Sequence, residues 1–398
     1  MLRKSGRQWR RSVGAGAALT TLVSIGGLTG TMGTASAASS DACWAMATSV
    51  SACGGMAALI KAAKAEGTLN LTADPTTWAN YGNIMKDFAA KYGIHVNDFQ
   101  PEDSSAEELS EITLYKGHSN KEPDVVDVGV SFAVEAVAGE PGVFKGPIFS
   151  KYKTQEWSDL PGTWKNTDGY WAYDYSGVIA IGYNASVIKT PPTSFASLLQ
   201  PEFKDAVGLS NSPTSSNAGF SAVYAAALDN GGSLNNIQPG ISYFKKLAAA
   251  GNYNPVEAGG NGDAPMAEKT VLATLDWTYN QLSWEQELKS HGIIWKMVIP
   301  SGTPFASYYA MAISAYAPDP AAARLFLEYM YSPTGQNLWL EGGAVPSTIT
   351  TMEKDGTVNK AAESTIPPFK GTPAIPNNAQ ATAAKAVVVK EWSSAVGG

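Results

Sequence analysis

The chain has 398 residues, 44% of them hydrophobic and 16% charged, with a formal net charge of −7. This is the composition of a globular protein long enough for two ordinary domains, and it excludes a disordered or fibrous chain. The acidic balance argues against a general binder of nucleic acid or anionic lipid.

The first element is an export signal. Arg3, Lys4, Arg7, Arg10 and Arg11 form a basic head, Val13 to Met32 is apolar or small, and Ala35-Ser36-Ala37 supplies a small-x-small cleavage site. That pattern predicts a signal peptide over 1–37. Arg10-Arg11 points toward the twin-arginine route, although Trp9 before it and Ser12-Val13 after it are not the usual context. No internal stretch reaches the roughly 18 uninterrupted apolar residues of a membrane span. Without the five basic residues of 1–37, 23 basic side chains face 35 acidic ones, a net charge of −12. The two cysteines, Cys43 and Cys53, follow the cut, and in an exported chain such a close pair is most simply a disulfide. Ser40-Asp41-Ala42 lacks the apolar start of a lipobox, so a soluble product is expected in the periplasm or the extracellular, cell-envelope space.

Met56, Leu59, Ile60 and Ala63 then fall at helical spacing, with Gly67 as the stop. Thr68 to Thr72 reads as a strand broken by Asp74-Pro75-Thr76. Trp78, Tyr81, Met85, Phe88 and Tyr92 share one helical face that ends at Gly93, and Ile94 to Val96 opens another strand. Asp124 to Val130 is rich in valine, as in a strand buried on both faces. Tyr170 to Tyr175 and Val178 to Tyr183 read as two consecutive strands. Ser212 to Asn217 opens a helix bearing Phe220, Val223, Tyr224 and Ala227, and a further helix carries Ile241, Phe244 and Leu247. Strands follow at Val271 to Leu275, Ile293 to Ile299 and around Tyr309 to Ser314, then helices from Pro320 to Tyr331 and Thr334 to Leu340. A proline-rich tail to about Pro376 leads into a last helix with Val387, Val388, Val389 and Trp392. Strands alternating with helices argue a parallel α/β sheet.

Several phrases, in order, give the chain its likeness to known proteins. They are Leu59-Ile60-Lys61-Ala62-Ala63-Lys64-Ala65-Glu66-Gly67-Thr68-Leu69, Phe88 to Ile94, Pro123-Asp124-Val125-Val126-Asp127-Val128, Gly182-Tyr183-Asn184 with Phe195 to Leu199 and Pro201 to Lys204, and Pro318 to Phe326 followed by Tyr331 to Gln336. Together they span roughly residues 56 to 346, and their shared order resembles the type II periplasmic-binding-protein family of ABC importers, in the branch of polyamine, ferric-iron and aminoethylphosphonate receptors. The resemblance implies two Rossmann-like α/β lobes joined by two hinge crossings, here at Ser176–Val178 and Ser301–Thr303. Lobe 1 would hold 38–177 and 302–398, and lobe 2 would hold 178–301. It also implies a monomeric receptor with no cofactor, whose partners are a small polar solute and the importer's membrane subunits.

Ligands of open α/β sheets sit beyond the C-terminal strand ends. The loops in that position are 73–77, 129–132, 173–176, 212–217, 276–280 and 303–309. Asp276, Trp277 and Tyr279 combine a carboxylate with aromatic faces, which suits an amine; the resemblance puts Trp277 where polyamine receptors carry a cleft tryptophan, and the alternative is a core position. Asp74, Trp78, Tyr173, Asp174, Tyr175, Tyr308 and Tyr309 lie on other cleft loops. Ser215 and Ser216, at a helix start, offer hydroxyls and free N–H groups that can hold a phosphonate or carboxylate, or simply cap the helix. Polyamine receptors carry acids in this stretch and this chain has none. Iron is disfavoured, because Tyr279 stands alone where ferric receptors present adjacent tyrosines. His95, His118 and His291 lack metal-ligand spacing. HExxH, Walker A, GxSxG and GxGxxG motifs are absent, so an enzyme on the same fold and a receptor for a small anion are the alternatives to an amine receptor.

Overall fold

The computed structural model describes residues 42–118, 121–257, 263–300, 302 and 304–397. The expected signal peptide lies outside them, as do Ser301 and Thr303 of the second expected crossing.

Helix α1 (Met56–Glu66) ends at Gly67, whose φ of 78° is left-handed and whose N–H returns to the Ala63 carbonyl. Strand β1 (Thr68–Thr72) runs parallel to β2 (His95–Phe99), with α2 (Tyr81–Tyr92) between them burying Tyr81, Ile84 and Phe88. Trp78 falls in the turn before α2 rather than on the helix. Helix α3 (Ser105–Leu114) has no counterpart in the sequence reading, although a capping box of Ser104 and Glu107 marks its start. Strand β3 (Val125–Gly129), buried throughout, runs straight into α4 (Val130–Ala138), and β4 (Phe149–Ser150) follows.

The next strand, β5 (Ala172–Asn184), is thirteen residues long and buried at every position. Sequence spacing predicts two strands here; the structure has one. A bulge between Tyr173 and Ser176 absorbs the change in register. Gly177 keeps the strand continuous where it passes the Tyr279 ring, because a Cβ there would meet that ring at 2.7 Å. After β5 come β6 (Val207–Leu209), α5 (Asn217–Asp229), α6 (Gln238–Ala249), β7 (Ala273–Trp277), α7 (Thr278–Glu287) and β8 (Trp295–Val298). The chain then returns through β9 (Ala306–Ser314), α8 (Pro320–Tyr331), α9 (Pro333–Glu341), β10 (Val345–Pro346) and α10 (Asn378–Val396).

The main sheet has the order β3-β9-β5-β7-β6, with β4 on β9 and with β8 and β10 on β5. It is mixed and curled, as the strand partners require. Up to Val178, β5 lies antiparallel to β9 and touches β10; from Ile179 its partners are β7 and β8. The parallel pairs are β1–β2 and β6–β7. The all-parallel expectation therefore gives way to antiparallel pairing along β5, because the returning strand β9 runs back along it.

Helix α8 is buried on every side and packs on α1. Its Arg324 donates to the carbonyls of Ala45, Ala47 and Pro320, tying the chain start to the core. Beside that anchor Cys43 and Cys53 are disulfide-bonded, with Cα atoms 6.0 Å apart, within the usual range. The last helix, α10, packs on both α6 and α4: Lys385 pairs with Glu135, and Trp392 meets Phe244 edge-on at 5.0 Å.

Replacing both cysteines by serine should lower unfolding free energy by about 2–3 kcal/mol, the loop-closure value for a crosslink of this span. Urea titration measures it; an unchanged midpoint would show that Arg324 alone holds the segment.

Candidate functional site

The loops after β1 and β2, with the start of α3 and Asp127 of β3, face the loop that starts α5 across a narrow cleft. The cavity between them has about 40 Å³ of free volume for water centres, room for a few waters. Asp74, Trp78, Ser105, Glu108 and Asp127 line one side, Asn211, Ser216 and Asn217 the other, and Tyr175 and Tyr309 the floor; Glu102 and Asp103 stand at the rim. The two sides touch. The Ala106 N–H donates to the Ser215 carbonyl at 3.1 Å, and a Cβ built on Gly129 would collide with the Asn217 side chain.

The floor is a lattice of rings. Tyr175 and Tyr309 stack 5.4 Å apart at 6°. Trp78 meets Tyr279 and Tyr309 edge-on, both at 5.7 Å, and its indole N–H donates to the Tyr175 hydroxyl at 2.8 Å. Trp277 and Tyr279 lie one layer deeper. Trp277 is fully buried, with its indole N–H 3.4 Å from the Tyr309 hydroxyl. Asp276 accepts from the Trp277 N–H at 2.5 Å and from the Asn280 side-chain amide at 3.2 Å, so it is held behind the floor. Asp174 is likewise beneath the surface, accepting from the Tyr175 N–H.

Of the residues singled out by sequence, Asp74, Trp78, Tyr175, Ser216 and Tyr309 therefore lie on the cavity wall. Asp174, Asp276, Trp277 and Tyr279 support it from below, and Ser215 contributes its carbonyl to the contact with α3. Tyr173 and Tyr308 face away. They stack on each other at 4.9 Å in a separate core cluster with Trp171. Tyr308 is opposite Tyr309 by strand alternation, and the bulge after Tyr173 puts it out of phase with Tyr175. Asp127 and Glu108 were not among the sequence candidates. A lone aspartate inside the run Val125-Val126-Asp127-Val128 is the signal that could have found the first; the Ser104/Glu107 capping box could have found the helix that carries the second.

Carboxyl groups dominate the electrostatics. Burial, then the Asp98 and Asp127 charges, holds Asp74 well above the ordinary carboxylate range. Burial does the same to Glu108, reinforced by Asp74 and Asp127. Asp127 is pushed up to about 7 by burial against the lowering pull of its hydrogen bonds; Asp98 and Asp276 also rise to about 7, chiefly by burial. Among the described residues no Lys, Arg or His lines the cavity. Nor do three His, Cys, Asp or Glu side chains gather as a metal site.

Helix starts at the cleft already have partners. Ser216 caps α5 through the Gly219 N–H, Ser104 and Glu107 close on each other at α3, and the Gly129 N–H at α4 donates to Ser105 Oγ at 3.1 Å. The chemistry on offer is thus acceptor groups beside aromatic faces, suited to a hydrogen-bond donor carrying positive charge.

The family model described as bacterial extracellular solute-binding protein matches residues 123–371. A search of curated proteins gives no match. Among solved structures, the ferric binding protein from Campylobacter jejuni aligns at TM-score 0.59 and 17% identity, over 82% of this chain and 99% of its own. The periplasmic binding protein AfuA from Actinobacillus pleuropneumoniae, with fructose-6-phosphate bound, aligns at 0.58 and 16%, over 83% and 98%. A protein from Listeria monocytogenes described as a spermidine/putrescine ABC transporter aligns at 0.56 and 13%, over 82% and 99%. These likenesses identify the fold as that of type II periplasmic binding proteins.

The raised carboxyls set a pH dependence. Between about pH 4 and 7 the folded chain binds more protons than the unfolded one, so stability falls as pH rises through that window. The urea midpoint of the ligand-free protein should decline from pH 5 to pH 7.5, and less steeply in Asp127→Asn. A midpoint that rises over this range would contradict the assignment.

Proposed function

Since the chain belongs to the bacterial extracellular solute-binding protein family, whose members bind small solutes and deliver them to ABC importer membrane subunits, we propose that its own solute is a small amine. The observation that carries this reading is the cavity wall: Asp74, Glu108 and Asp127 beside Trp78, Tyr175 and Tyr309, with no cationic side chain among the described lining residues. An ammonium group supplies the missing positive charge and donates to the carboxyls, while aromatic faces attract its alkyl-ammonium carbons. The family works outside the cytoplasm, which implies export. The family and its structural neighbours are binding proteins, not enzymes.

The receptor would consist of two lobes, roughly 38–177 with 302 onward and 178–301, hinged where β5 changes partners after Val178. Asp74, Trp78 and Asp127 belong to the first; Ser216 and Asn217 belong to the second. A solute touching both sides favours the closed arrangement over the open one. The anion alternative is weaker, since the helix starts that would hold a phosphonate are satisfied by Ser105, Ser216 and Glu107.

Calorimetry with putrescine, spermidine and aminoethylphosphonate tests the reading. An amine should bind, and Trp78→Ala should weaken it by about 1–3 kcal/mol, the cost of losing a desolvated aromatic anchor. Trp277→Ala should instead act on stability, by about 3–5 kcal/mol, as a buried indole does. Binding of the phosphonate in preference to both amines would overturn the amine reading.

A further inference from the structure

We propose that Asp127 and Asp174 form a proton-exchange seat at the base of the cleft: the pair is protonated while the cleft is empty, and Asp127 gives up its proton to solvent when an ammonium group settles against it. The inference rests on the amine reading and adds what the cleft does with charge.

Asp127 is only 6% exposed yet stands on the cavity wall. Its Oδ2 accepts from the Tyr81 hydroxyl at 2.8 Å, and its Oδ1 has no donor. Asp174, fully buried behind it on β5, has one oxygen bonded to the Tyr175 N–H and the other without a donor. Burial raises both carboxyls, and their contact adds to the rise at Asp174 while offsetting part of it at Asp127. Two carboxylates in contact, taken out of water, cannot both stay ionised.

Among the described residues no cation relieves them. The groups facing Asp127 are Tyr81 from α2, Glu108 from α3, Asp74 from the loop after β1, Asp174 and Tyr175 from β5, Tyr279 from α7, Tyr309 from β9 and Tyr331 from α8. All are acids or phenols. A bound ammonium is therefore the first cation the pair meets. It enters with its own protons intact, the Asp127 O–H bond breaks, and that proton leaves to buffer. One positive charge replaces another, so the net charge of the buried cleft is unchanged. Asp174 keeps its proton and goes on donating to Asp127.

The test is putrescine calorimetry at pH 6 in two buffers of different ionisation enthalpy, which counts protons released on binding. Wild type should release protons, and Asp127→Asn should release about one fewer. Putrescine affinity in wild type should rise close to tenfold between pH 5 and pH 6 and level off above pH 8. Binding without proton release in wild type, a count that needs no variant, would overturn the exchange while leaving the amine reading intact, as would equal release in Asp127→Asn. Failure of putrescine and spermidine to bind at any pH would overturn the amine reading and the exchange with it.

Discussion

Everything in this molecule hangs on β5. Its thirteen residues must bury every side chain and satisfy two sets of neighbours in turn, β9 and β10 before Val178, then β7 and β8. Satisfying both sets forces a bulge near its start and a glycine near its middle. The bulge rotates Tyr175 onto the same face as Tyr309, and the glycine lets the Tyr279 ring pass beneath. The aromatic floor of the cleft is thus a by-product of how one strand serves two halves of a sheet.

The same strand brings Asp174 under Asp127, and with it a charge problem. Taking an ionised carboxylate out of water costs several kcal/mol unless a cation or donors repay it. Here hydrogen bonds from Tyr81 and from backbone N–H groups repay part, and no cationic side chain lines the cavity among the described residues. Burial wins over hydrogen bonding, and the acids rise toward neutrality. Proximity of the two sides of the cleft, seen in the contact of Ala106 with Ser215, deepens that burial. In the proposed function, a solute amine is what turns these neutral acids into useful charges.

Much of this was legible in the sequence. The alternation of strands and helices and the ordered family phrases gave the fold class, and Cys43 with Cys53 gave the disulfide that the structure contains. Asp74, Trp78, Tyr175, Ser216 and Tyr309 could be placed near the cavity because the sequence puts each near a strand end or a helix start. In the structure Asp74 and Trp78 are on a turn, Ser216 caps α5, and Tyr175 and Tyr309 lie within β5 and β9. Tyr173 could not be placed, because a bulge is a tertiary compromise that local spacing does not announce. Asp127 was hidden by its neighbours: a valine-rich strand reads as buried on both faces, and an acid within it is easily taken as incidental. The antiparallel run of β9 along β5 was hidden for a different reason, since strand direction depends on partners more than a hundred residues away.

The central claim is that the cleft is built for a cation. Mass spectrometry under native conditions, on protein exported by its own source and purified without denaturant, tests it most directly. The account predicts a copurifying small amine, released when the protein is acidified to the point where the cleft acids are fully protonated. A copurifying phosphonate or sugar phosphate with no amine would contradict it.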